Sequence, residues 1–103
     1  MFEAVFARGT TPIHMYEVPY KPEEIKKVSV TYRQNGLKII TKRDAECIIR
    51  EGAIYIKLTQ EETLQFQEGE ATAQIKIGLT TGEVQRSVDH RIQVLDIADE
   101  EVF

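Results

Sequence analysis

LTQEETLQF, residues 58–66, is the stretch at which the repeat of the chain changes. Thr59 can cap a helix, and Glu62 stands three residues on, where a capping-box partner reaches back. Leu58 and Thr63 occupy the two positions of a hydrophobic staple, although only Leu58 is apolar. Ile54, Ile56 and Leu58 enter the segment at period two, and Leu64 and Phe66 leave it toward Gly69. One or two turns of helix, about residues 60–66, would carry the chain from one sheet to another. So short a helix must be held by packing, so Leu64 and Phe66 are expected to plug the end of a β core.

Working outward, ECIIR and AIYIKL flank Glu51-Gly52, and a two-residue loop there sets Ile49 opposite Ile54 and Cys47 opposite Ile56. Those four face the core in this reading. Ile48 and Tyr55 then pair on the other face and leave an apolar spot, covered by another strand or open to a partner. Upstream, Val28, Val30 and Tyr32 alternate with Ser29, Thr31 and Arg33 and run into Asn35-Gly36, a pair suited to positive φ in a type I′ turn. That loop sets Gln34 opposite Leu37, Tyr32 opposite Ile39 and Val30 opposite Thr41. The segment IHMYEV, 13–18, is apolar on both faces, so its inner side is undetermined; FEAVFAR, 2–8, with Phe2, Ala4 and Phe6 on one side, fits a first strand or an arm on a sheet edge.

Downstream, Ala71, Ala73, Ile75, Ile77 and Leu79 alternate with polar residues in the cleanest strand of the chain. A long last strand, 84–95, places Val84, Val88, Ile92 and Val94 on one parity, shared by Arg86 and His90. That conflict predicts a bulge, or a first half at a sheet edge where a charge reaches solvent. The acidic tail, 96–103, ends in Val102 and Phe103 and is expected to be loose or docked on something else. About seven short strands and one crossover helix describe an all-β, immunoglobulin-like β-sandwich over residues 1–95, with a small β-barrel as the alternative.

A chain of 103 residues is one domain with room for a core without metal or disulfide staples. Its net charge of −4 argues against duplex nucleic acid as the main partner and leaves room for a local basic patch. Lys26, Lys27, Arg33, Lys38, Lys42 and Arg43 gather on the first hairpin, but Tyr32 lies on the core parity, so a stacking platform for single strands is poorly supported. No apolar run approaches the ~20 residues of a membrane-spanning helix, and no basic region precedes an apolar block near Met1. The expected place is therefore the cytosol, or an assembled particle.

Chemistry is not visible in these residues. His14 and His90 stand on strands without an i, i+4 partner or an HExxH spacing, and no GxSxG, GxxxxGKS or GxGxxG occurs. Solvated or core-edge histidines are the expected reading, with no metal or cofactor. Carboxylates fall in turns, at the helix start and in the tail, where 99–101 lacks the alternating spacing of a calcium loop. Cys47, the single cysteine, reads as a buried, inert thiol.

FARGTTPIHMYEVPY (6–20), IKKVSVTYRQNG (25–36), KLTQEETLQFQEG (57–69) and LDIADEEVF (95–103) together resemble a family of small proteins from prophages and tailed phages of gut Firmicutes. More distantly they are similar to N-terminal β modules of baseplate components. The resemblance covers nearly the whole chain and implies a structural place in or near a virion. It brings no functional residues with it, and the polar final strand with Arg86, Asp89, His90 and Arg91 departs from it. The expectation is a non-enzymatic phage structural or assembly module that contacts other structural proteins or copies of itself. Tyr55, Ile48, Val102 and Phe103 are its candidate contact residues. A sandwich that binds carbohydrate or a host surface is the rival, with no tryptophan and 8% aromatic residues against it.

Overall fold

The capping box forms as the sequence requires. In the computed structural model, which describes residues 4–103, Thr59 Oγ1 accepts from the backbone N–H of Glu62 at 3.2 Å, and Glu62 Oε1 accepts from that of Thr59 at 2.9 Å. The helix they start, α1 (Gln60–Thr63), is a single turn, shorter than the 60–66 expected. The polar half of the staple has its own use: Thr63, fully buried, donates its hydroxyl to the Thr10 carbonyl at 2.9 Å. A hydrogen bond thus ties the helix to the preceding loop where an apolar pair would have been.

Among the described residues nine strands surround α1: β1 (Ala4–Ala7), β2 (Ile13–Glu17), β3 (Ile25–Gln34), β4 (Leu37–Arg43), β5 (Cys47–Arg50), β6 (Ala53–Lys57), β7 (Gly69–Leu79), β8 (Val84–Arg86) and β9 (His90–Leu95). They form a six-stranded sheet in the order β1-β9-β7-β3-β4, with β8 also on β7, and a three-stranded sheet in the order β2-β6-β5. The two sheets face each other across one core as an immunoglobulin-like β-sandwich, and the described strands close no barrel. Helix α1 carries the chain from β6 in one sheet to β7 in the other.

Both hairpins use the expected turns. Asn35 (φ 53°) and Gly36 (φ 77°) hold the left-handed values of a type I′ turn, and β5–β6 pairs Ile49 with Ile54 and Cys47 with Ile56. The β3–β4 register is as expected only at the tip. Gln34 faces Leu37, but Tyr32 faces Ile40 instead of Ile39, and Val30 faces Lys42 instead of Thr41. A bulge inserts one extra residue at this point, and since side chains alternate, everything beyond it changes face. Lys42 is thereby turned inward. Its side chain, 10% exposed, meets Glu62 at 2.7 Å and fastens β4 to the start of α1.

The last strand is broken as its parity conflict predicts. β8 and β9 both pair antiparallel with β7 but in registers one residue apart, and at the break Ser87 bonds Ile75 through both its backbone N–H and its Oγ, each at 2.9 Å. Val84 and Val88 therefore stay exposed instead of joining the core, whereas Ile92 and Val94 are fully buried. β1 lies parallel to β9 at the sheet edge, with Phe6 in the core; Phe2 falls outside the described residues.

The tail is docked on its own chain. Arg8 meets Asp96 at 2.9 Å and Glu100 at 2.8 Å, while its Nε donates to the Phe66 carbonyl at 2.7 Å. Gln60 holds the backbone of Phe103 from both sides, accepting its N–H at 2.8 Å and donating to its carbonyl at 3.2 Å.

Candidate functional site

Strand register places three apolar side chains in one line across the outer face of the three-stranded sheet. Met15 on β2 faces Tyr55 on β6, which faces Ile48 on β5. Met15 is 53% and Ile48 54% exposed, Tyr55 is half-buried between them, and Ile13, one step along β2, is also exposed. The Ile48–Tyr55 spot expected from the second hairpin is therefore present and uncovered by any described strand. Sequence reading missed Met15 and Ile13 because nothing local tells which side of β2 faces in. One step along the strands on one side of the row Lys57 stands opposite Ile13, and on the other side Ala53 stands between Glu17 on β2 and Arg50 on β5. Val102 and Phe103 are exposed as well, but they lie by α1 and not in this row.

The other side of β2 holds polar groups in the core. His14 and Tyr16 point inward, opposite to the solvated or core-edge place expected for His14, which is 6% exposed. Tyr16 donates its hydroxyl to the Tyr32 oxygen at 3.0 Å, and the Tyr32 hydroxyl lies 2.9 Å from His14 Nδ1. With Tyr32 as donor, the histidine proton sits on Nε2, an atom with no hydrogen-bond partner among the described residues. Phe6 and Tyr16 pack around the ring, and His90 packs on Tyr16 with centroids 5.0 Å apart. Cys47 is buried as expected, and burial, helped by Glu46 and Asp44, pushes its thiol up to about 11, so little thiolate exists at neutral pH.

Burial holds the His14 imidazole below its ordinary 6.5. The unfolded chain therefore takes up a proton before the fold does, so stability is complete above about pH 6.5 and declines as pH falls below it. Urea midpoints at pH 7.5 and 5.5 are expected to show this loss. A His14→Leu chain is expected to show a smaller one; an equal drop in both would place the titration elsewhere.

No group of three or more His, Cys, Asp or Glu suited to a metal ion occurs among the described residues, nor is any described helix long and apolar enough to cross a membrane. No family model and no curated protein matches the chain. Solved structures do resemble it in fold. CopC from Methylosinus trichosporium superposes with a TM-score of 0.58 at 9% identity, over 94% of this chain and 89% of that one. A candidate glycoside hydrolase from Bacteroides vulgatus gives 0.55 at 10% identity over 93% of this chain, which spans only 17% of that protein. The NK cell receptor Nkp44 gives 0.51 at 12% identity, over 94% of this chain and 99% of that one. At such identities the likeness concerns the β-sandwich alone.

Proposed function

We propose that this chain is a non-enzymatic β-sandwich module of a phage or prophage particle that works by protein–protein contact, in the first place with a second copy of itself. The observation that carries this reading is the uncovered row Met15–Tyr55–Ile48. An apolar line across three strands, with a large aromatic at its centre and charges on either side, has the make-up of a contact core inside a polar rim. It also suits a two-fold arrangement. When two such faces meet with strands antiparallel, the Lys57 side of one row lies over the side of the other where Glu17 and Arg50 stand, while the apolar centres overlap. The phage setting rests on the resemblance of the four stretches quoted above. Portal, capsid or tail genes beside the coding sequence would agree with it, and a metabolic operon would contradict it.

Light scattering across a concentration series tests the contact. The natural chain is expected to reach the mass of a defined oligomer, and Tyr55→Asp, at an outward position, is expected to keep the fold and remain monomeric over the same range. A natural chain that is monomeric at every concentration overturns the self-contact.

A further inference from the structure

The outer face of the six-stranded sheet carries charge of the sign opposite to that of the whole chain. Burial alternates along β3, so Ser29, Thr31 and Arg33 point away from the core into which Val28, Val30 and Tyr32 point. Register then lays out rows across the sheet. Arg43, Ser29, Lys76 and Arg86 form one, over β4, β3, β7 and β8. Lys38, Arg33, Thr72 and Arg91 form another, over β4, β3, β7 and β9. Between them runs an uncharged row, Thr41, Thr31 and Gln74. With Lys27 beside the first row, this face holds more than half of the 13 Lys and Arg of a chain whose net charge is −4.

These cations are not balanced from within. Against these cations the face sets Glu70, paired with Arg91 at 2.7 Å, and Asp89 and Asp44, which accept from the neutral Gln74 amide at 3.0 Å and Val28 N–H at 3.2 Å and keep their charge, so positive charge remains in excess. Among the described residues Lys27, Arg33, Lys38, Arg43, Lys76 and Arg86 form no ion pair. Moreover Lys76 stands directly opposite Arg86, and Arg33 directly opposite Lys38, and like charges in that relation destabilise a sheet. An anion laid across them would relieve both repulsions. The first row also borders a depression of about 360 Å³ lined by Lys27, Arg43 and Lys76 with Ser29 and Gly78; one carboxylate, Asp44, shares the lining, so three cations there face a single anion.

We propose that this face binds an anionic polymer of sugar or polyol units, one of whose sulfate or phosphate groups seats between Lys27, Arg43 and Lys76. The rest of the polymer crosses the hydroxyl and amide row toward Arg33 and Lys38. Strands lie about 4.8 Å apart and successive outward residues about 7 Å apart, so the two charged rows, with the uncharged row between them, stand about 14 Å apart and call for a ligand long enough to reach both. The three rows hold no aromatic ring on which a base could stack and no large apolar anchor for a protein partner; Val84 stands only at their margin. The proposal is independent of the apolar row on the other sheet.

Calorimetric titration of the whole chain with a heparin octasaccharide and with poly(glycerol phosphate) tests it and separates sulfate from phosphate as the preferred group. Dextran, polyglutamate and an oligothymidylate serve as comparators. At least one of the two anionic polymers is expected to bind, more weakly as salt is raised. Arg43→Glu with Lys76→Glu is expected to lower the affinity about tenfold or more, Lys76→Ala in the same direction by less, and Arg50→Glu on β5 not at all. Thermal unfolding of Lys76→Ala should match or exceed that of the natural chain, because a like-charge pair is removed. Three results would overturn the proposal: no binding of either polymer at low salt, equal losses in the β5 and the two-site variants, or polyglutamate or oligothymidylate binding as tightly as the better of the two polymers.

Discussion

Phe66→Ala is expected to lower the unfolding free energy by about 3–5 kcal/mol, a large part of the 5–15 kcal/mol that a domain typically has. Phe66 is 1% exposed and meets two other rings edge to face, Phe6 at 5.3 Å and Tyr32 at 6.1 Å between centroids. Phe6 comes from the edge strand β1 and Tyr32 from the middle of the same sheet, while Phe66 arrives from the crossover behind α1. The ring is therefore the plug that joins the crossover to the core. Its own backbone carbonyl accepts from Arg8, so the surrounding main chain is pinned and cannot collapse freely into the space left. Incomplete collapse puts the substitution toward the upper part of that range. Urea unfolding followed by far-ultraviolet circular dichroism measures it; a loss below about 1 kcal/mol would mean that the crossover is not packed as described.

Tyr32→Phe is expected to cost about 2–3 kcal/mol although it removes a single oxygen. That oxygen both receives the Tyr16 hydroxyl and serves His14 Nδ1. Without it, a histidine whose Nε2 already has no described partner has no described partner at Nδ1 either. The expense lies in leaving buried polar atoms unserved, not in the net strength of the bonds. His14→Leu in the Tyr32→Phe background removes the stranded imidazole, so the double variant should recover part of the loss. Additive losses in the two single variants would show that the two side chains do not act as a unit.

What could be read from the residues follows from what is local. The type I′ turn at Asn35-Gly36, the alternation in β5 and β6 and the Thr59–Glu62 cap each rest on neighbours in sequence, and each is present. The bulge in β4 was not legible because Ile39 and Ile40 are alike, and either can face the core; its consequence, Lys42 turned inward onto Glu62, was hidden with it. The same limit hid half of each surface. Ile48 and Tyr55 emerge from one hairpin, but Met15 joins them only when β2 pairs with β6. Likewise Arg33, Lys38 and Arg43 belong to one hairpin, while Lys76 and Arg86 reach their row through β7 and β8. Arg8, which holds Asp96 and Glu100 and thereby docks the acidic tail on its own chain, makes all of these contacts at long range. No pattern near residue 8 announces them.

The contact reading is tested most directly by hydroxyl-radical labelling of the intact chain at dilute and at high concentration, with oxidation read residue by residue. Met15 and Tyr55 are predicted to lose reactivity together as concentration rises, while Phe103, 90% exposed beside α1, keeps its rate. Equal labelling of Met15 and Tyr55 at every concentration would contradict the account, since the apolar row that joins three strands would then remain open to water.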